Sequence, residues 1–74
     1  MAKVISYEEL VLLLIKETEN INISSFCKEH NIKNQSLMYN IRNKTATKEY
    51  PKFVINILKC FGYKITKYNG FIIE

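Results

Sequence analysis

The sequence predicts a mainly α-helical domain that ends in a β-hairpin. Three observations indicate this fold: apolar residues recur at helical spacing in four segments, capping residues precede these segments, and Asn69-Gly70 separates two β-rich runs. With 74 residues, the chain is expected to form one domain over 1–74, near the size at which a single core suffices. The hydrophobic share of 47% favours a folded chain over a disordered one.

The first helix is predicted from about residue 7 to residue 18. Ser6 is a suitable N-cap, and Glu9, three residues later, completes a capping box. The apolar residues that follow spread over a wide arc of the helix surface, which indicates burial on more than one side.

Two further helices are predicted at about 23–30 and 35–43. Asn22 and Asn34 are expected to cap them, because an amide oxygen accepts a bond from a free N–H of the first turn. Between them, Asn31 tolerates the left-handed conformation that a sharp turn between helices requires. In the helix predicted at about 35–43, the side expected to be buried carries Leu37, Met38 and Ile41.

A fourth helix is predicted at about 51–61. Pro51 suits the first helical position, because its missing N–H would have no partner there in any case. Gly62 is expected to end the helix as a C-terminal cap.

The end of the chain is predicted to form a hairpin with strands at 63–68 and 71–74, and residues around Val4 are expected to add a short N-terminal strand. Asn-Gly between β-rich runs is a strong signal for a tight turn. Strict alternation would place Thr66, Tyr68, Phe71 and Ile73 on one face, and Ile65, Lys67 and Ile72 on the other. Because both faces then carry apolar groups, we expect one to pack on the helices and the other to pair with a second copy. The alternative is that the second face stays half exposed.

Charge is unevenly distributed along the chain. Residues 1–20 hold two Lys and four Glu, a net charge of −2, whereas residues 21–74 hold nine Lys or Arg and three Glu, a net charge of +6. Together these give the net charge of +4. A basic portion of this kind attracts a polyanion, although a merely solubilising surface has the same composition.

The sequence offers little support for catalysis, a metal or a cofactor. It contains no Asp and only two Gly, so a phosphate-cradling loop is not expected. Cys27 and Cys60 are interpreted as thiols of an intracellular chain rather than as a disulfide. Cys27 and His30 have ligand-like spacing, but a structural zinc site normally needs four protein ligands. No apolar run is long enough to span a bilayer, so we expect a soluble, cytoplasmic protein.

The second and third helices fit a helix-turn-helix plan. Such a plan needs a small residue where the helices cross and, four positions later, a turn residue that tolerates unusual backbone dihedral angles. Apolar residues must follow the turn. The run that meets these needs is Phe26-Cys27-x3-Asn31-Ile32-x4-Leu37-x3-Ile41. It resembles the helix-turn-helix of phage Cro and repressor proteins and of the related XRE-type regulators, and the likeness covers about residues 5–74.

This resemblance implies a sequence-specific double-stranded DNA-binding regulator, a homodimeric repressor of phage, plasmid or bacterial origin, whose third helix enters the major groove. It also implies association with the nucleoid of a bacterial host. The base-reading residues would be Asn34, Gln35, Tyr39 and Arg42. Contacts to the DNA backbone would come from Asn22, Ser24, Lys33, Ser36, Asn43, Lys44 and Lys48. The hairpin residues expected to form the dimer are Tyr68, Phe71, Ile72 and Ile73.

Plainer interpretations stay open for several of these residues. Asn34 can serve as an N-cap alone, and Tyr39 can fold back over the core. Lys33, Lys44, Lys48 and Lys52 can form an ordinary solvated face. At the level of function, the alternative is a small phage-type protein-binding module or inhibitor on the same scaffold, and RNA binding is a third option with few exposed aromatics to support it.

Overall fold

The computed structural model describes residues 3–67 and 70–73, which form four helices and a three-stranded antiparallel sheet. The elements are α1 (Tyr7–Thr18), α2 (Ile23–Glu29), α3 (Gln35–Arg42), α4 (Pro51–Lys59), β1 (Lys3–Ile5), β2 (Ile65–Lys67) and β3 (Phe71–Ile73). The predicted fold class is confirmed, including the hairpin and the short N-terminal strand. Within the described part of the chain, no helix is long and apolar enough to cross a membrane.

The N-termini of the first three helices are capped by the side chains that the sequence indicates. The Glu9 N–H donates to Ser6 Oγ at 3.2 Å, and the Ser6 N–H donates to Glu9 Oε1 at 3.4 Å, which completes the capping box. Asn22 Oδ1 accepts from the Ser25 N–H at 3.0 Å, and Asn34 caps α3 in the same way. These helix starts depend on residues only three positions apart, which is why the sequence predicts them well.

Three of the helices end in the same way, with a left-handed residue just after the last turn. The left-handed residues are Asn31 at φ 60°, Lys44 at φ 59° and Gly62 at φ 91°. The next amide then donates back into the helix, as in a Schellman motif: Ile32 to Cys27 O at 2.8 Å, Thr45 to Asn40 O at 2.8 Å, and Tyr63 to Leu58 O at 3.3 Å. The sequence indicates Asn31 and Gly62 for this role but gives no such signal for Lys44.

The core lies between the helices and one face of the sheet. α1 packs against α3 and α4, and α2 packs against α3. Thr18 is fully buried, and its Oγ1 donates to Leu14 O at 2.8 Å, which satisfies the hydroxyl. The innermost apolar side chains are Leu10, Leu14, Ile23, Met38, Val54, Ile57 and Leu58.

The hairpin register differs by one residue from the predicted register. Lys67 pairs with Phe71, so three residues, 68–70, separate the strands instead of the two of a tight Asn-Gly turn. Residues paired across an antiparallel ladder share a face. The predicted division of the hairpin into two faces is therefore wrong: Ile65, Lys67, Phe71 and Ile73 share one face, and Thr66 and Ile72 lie on the other.

This register changes the set of residues expected to form a dimer. Phe71 is only 6% exposed and lies with its ring centroid 6.3 Å from that of Tyr7, so it belongs to the core. Ile72 and Ile73 are half-buried, and Tyr68 lies outside the described residues. Val4, which pairs with Ile72, is 61% exposed on the outer face of the sheet.

Candidate nucleic-acid interface

α2 and α3 are held together at a crossing that requires a small side chain. Cys27 is 2% exposed, and its Sγ lies 3.6 Å from Met38 Sδ on α3. Burial raises the pKa of the Cys27 thiol above its ordinary value, which keeps the sulfur protonated and disfavours it as a metal ligand. Among residues 3–67 and 70–73, no group of three or more His, Cys, Asp or Glu side chains could hold a metal ion.

The turn between these helices is set by Asn31 and stabilised on both sides. The left-handed Asn31 lets the Ile32 N–H return to Cys27 O, and the half-buried Ile32 packs against the core. The His30 ring lies 4.5 Å from the Phe26 ring, so this histidine covers the end of α2. The turn thus fixes the direction in which α3 leaves α2.

The outer face of α3 is polar along its whole length. Met38 and Ile41 are the buried residues of this helix, and at 100° per residue Ser36 and Asn43 point almost directly away from them. The two positions on either side of that direction are Tyr39, which is 40% exposed, and the exposed Asn40. We call these four residues, Ser36, Tyr39, Asn40 and Asn43, the α3 polar stripe.

Gln35 and Arg42 lie at the flank of α3 rather than at the centre of the stripe. Both are half-buried, and both project to the same side of the helix. Arg42 Nη2 donates to the backbone oxygen of Glu19 at 3.0 Å, at the C-terminal end of α1. The guanidinium therefore has an intramolecular role, capping α1 and joining it to α3, and four of its five N–H donors remain for other partners.

Asn34 also has an intramolecular partner. Its Oδ1 accepts from the Leu37 N–H at 3.2 Å, which confirms the predicted N-cap of α3. Capping uses only the amide oxygen, so the two donors of the exposed Nδ2 group remain available. Asn34 thus presents a donor at the end of α3 where base contacts are expected in a helix-turn-helix protein.

Asn40 is a stripe residue that the predicted contact set omits. The Thr45 hydroxyl donates to Asn40 O at 3.2 Å and lies 3.3 Å from Asn40 Oδ1, so Thr45 contacts both oxygens of this residue. The signal in the sequence was its spacing, four residues after Ser36 on the same side of the helix.

The basic residues expected to contact a DNA backbone flank α3 on the surface. Lys33 precedes the helix, and Lys44 and Lys48 follow it; all three are exposed. Asn22 and Ser24 are exposed at the start of α2, although Asn22 uses its Oδ1 as a cap. Lys44 and Lys48 also line a cavity of about 210 Å³ against α1, and Glu8 places one acidic group there.

Comparison of the chain with protein-family models, with curated proteins and with solved structures found no match.

Proposed function

We propose that the protein is a sequence-specific double-stranded DNA-binding regulator, a repressor that reads the major groove with α3. The observation that carries this proposal is the polar outer surface of α3, which consists of the α3 polar stripe with Asn34 and Gln35 beside it. Packing requires only that the opposite face of α3 be apolar, so it does not determine which polar side chains the outer face carries: two amides, a hydroxyl and a phenol. Such groups match the donors and acceptors that base edges present in the major groove.

The residues at the start of α3 are the best placed to read bases. In helix-turn-helix proteins, the N-terminal part of the second helix approaches the base edges. Gln35 opens α3, and its amide can bond an adenine edge at two points. Asn34 adds its free Nδ2 group beside it, and Tyr39 extends the same surface one turn later.

Electrostatics supports the same surface. Lys33, Lys44 and Lys48 lie near the two ends of α3 and would contact phosphates, with Ser36, Asn43 and Ser24 as neutral donors. Arg42 reaches the groove only with the donors that its bond to Glu19 leaves free. We therefore rank it behind Gln35 as a base reader.

A dimer completes the proposal. One α3 of eight residues contacts few base pairs, so a specific site requires a second copy on an adjacent half-site. The two recognition helices would then lie about one turn of DNA apart, roughly 34 Å, on a palindromic site.

The proposal can be tested with two single substitutions that separate reading from general attraction. Gln35→Ala is expected to relax the base preference at one position of each half-site while leaving binding to random duplex DNA unchanged. Lys44→Ala is expected to weaken binding to all duplexes alike and to lower the salt dependence by about one ion. Because alanine also carries a Cβ, the strain of the left-handed Lys44 backbone is the same in wild type and variant.

Fluorescence anisotropy of a labelled duplex over a salt series measures both effects. Equal losses for specific and random duplexes in both variants would show that the readers are misassigned. No binding to any duplex at about 50 mM salt would overturn the proposal, because non-specific binding by a basic domain is strong there. In that case the alternative is a protein-binding module, with the α3 polar stripe facing a protein partner.

A further inference from the structure

A second surface, on the outer side of α1 next to the sheet, has a feature that DNA binding does not use. Glu9, Leu12, Leu13 and Lys16 recur at i, i+3, i+4 and i+7, so they form one stripe along α1. All four line a single groove of about 500 Å³, which is also lined by Ile73 of β3 and Lys3 of β1. We call these four residues the α1 stripe.

The centre of the α1 stripe is apolar and open to solvent. Leu12 is 47% exposed and Leu13 is half-buried, whereas Leu10 and Leu14 on the inner side of the same helix are fully buried. Exposing a leucine of this size in the middle of a helix adds nothing to the core. An apolar patch rimmed by charged residues is typical of an interaction surface.

The charges at the two ends of the stripe indicate what covers it. Suppose that two copies of α1 pack antiparallel about a two-fold axis between positions 12 and 13. Residue n of one copy then faces residue 25 − n of the other. Glu9 then faces Lys16 of the second copy, Lys16 faces Glu9, and the leucines meet at the centre. The stripe is complementary to itself, which is the requirement for a two-fold interface.

The dimensions suit this arrangement. Glu9 and Lys16 are seven residues apart, or about 10.5 Å along the helix axis, so the ion pairs would flank a leucine centre two turns long. Packed helices lie about 8–10 Å apart, a distance that glutamate and lysine side chains can bridge. The Glu9 carboxylate donates no hydrogen and uses Oε1 in the capping box, which leaves Oε2 for a lysine.

We propose that the α1 stripe is the homodimer interface of this protein and that its occupant is the α1 stripe of a second copy. This surface replaces the hairpin face predicted from the sequence, since Phe71 lies in the core, while Ile73 keeps a role at the groove wall. The proposal does not rest on DNA binding, because the pairing requires only the chain itself.

Charge reversal tests the pairing by sedimentation equilibrium in the absence of DNA. Lys16→Glu makes both ends of the stripe acidic, and Glu9→Lys makes both ends basic, so each variant places like charges opposite each other twice per dimer. Each is expected to raise the dimer dissociation constant about tenfold or more relative to wild type. An equimolar mixture of the two variants restores opposite charges at both ends and is expected to regain dimerisation.

Two further variants complete the experiment. Glu9→Lys removes half of the capping box, so circular dichroism must show that α1 is retained in this variant. Glu9→Gln removes the charge but keeps a capping side chain, so it serves as the neutral control. Leu12→Ser removes the apolar centre at an exposed position and is expected to weaken the dimer without unfolding the chain.

The expected result is a wild-type dimer at micromolar concentration, weakened by each reversal and recovered in the mixture. A chain that stays monomeric at millimolar concentration would overturn the proposal. So would a dimer that neither reversal weakens but that Val4→Ser with Ile72→Ser abolishes, because the interface would then be the outer face of the sheet. DNA binding by either species would leave these conclusions unchanged.

Discussion

α1 and α3 bury similar side chains but expose different ones. On α1 the buried apolar residues are Leu10 and Leu14, and on α3 they are Met38 and Ile41, all at most 2% exposed. On their outer sides, the α3 polar stripe carries amide, hydroxyl and phenol groups, and the α1 stripe carries two leucines between opposite charges.

This difference separates what the fold requires from what the two proposed interactions would require. The inner faces are dictated by close packing, which accepts only apolar side chains of suitable size. Stability is nearly indifferent to the outer faces, so their chemistry carries the information about binding. Amides suit base edges, whereas exposed leucines with charges of both signs suit a protein surface.

The largest expected effect contrasts the two sides of α1. Leu14→Ala opens a cavity at a fully buried position, and we expect the free energy of unfolding to fall by about 2–5 kcal/mol. Leu12→Ala, at a position that is 47% exposed, is expected to change it by less than about 1 kcal/mol. Urea denaturation at low protein concentration, where dimers contribute nothing, measures both. Similar losses would mean that the two sides of the helix do not differ as described.

The next effect concerns the basic residues around α3. Replacing Lys33, Lys44 and Lys48 together by Gln is expected to lower the affinity for random duplex DNA by about 10- to 100-fold and to reduce the salt slope by about 2.7. The matched control replaces Lys59, Lys64 and Lys67 by Gln, which changes the net charge by the same amount at exposed positions elsewhere. If the control loses as much affinity, attraction depends on net charge and not on the α3 surface.

Local features of this fold could be predicted from the sequence. The helix starts follow from Ser6, Asn22 and Asn34, whose side chains bond amides three residues away. The ends at Asn31 and Gly62 follow from residues that tolerate a left-handed backbone. These features are set within one helical turn, so the sequence alone specifies them.

Long-range features could not be predicted in the same way. The bond from Arg42 to Glu19 spans 23 residues, and that from the Tyr50 N–H to Tyr7 Oη spans 43, so no local pattern indicates either. The prediction of the hairpin register failed because one extra loop residue changes which side chains of the two strands share a face. Phe71, expected at a dimer interface, lies in the core instead. At the candidate site, the sequence indicated the polarity of α3 but not that Arg42 is engaged at the end of α1.

A smaller effect distinguishes the end of α3 from the end of α4. Lys44 has a side chain but a left-handed backbone, so Lys44→Gly removes backbone strain and is expected to raise the free energy of unfolding by roughly 0.5–1 kcal/mol. The same change lowers the affinity for DNA, because a positive charge is lost. Gly62→Ala is expected to lower the free energy of unfolding by about 1 kcal/mol through backbone strain alone, since a Cβ there meets nothing within 4 Å. Thermal denaturation measures both shifts, and shifts of the same sign would contradict the shared helix-end motif.

The smallest effect separates capping from reading at Asn34. Asn34→Ala removes the cap and is expected to lower the free energy of unfolding by about 1 kcal/mol. Asn34→Ser keeps a capping oxygen, so its free energy of unfolding is expected to stay within about 0.3 kcal/mol of the wild-type value. Both variants lose the Nδ2 donors, so both should relax base preference next to the position read by Gln35. A serine variant with unaltered base preference would show that Asn34 is a cap alone.

Selection of bound duplexes from a random DNA library, with wild type and Gln35→Ala in parallel, tests the central claim that the outer face of α3 reads DNA. Wild type is expected to enrich a two-fold symmetric site, and Gln35→Ala should enrich the same site with one base pair relaxed in each half. Failure of wild type to enrich any sequence, or enrichment of an identical site by wild type and Gln35→Ala, would contradict it.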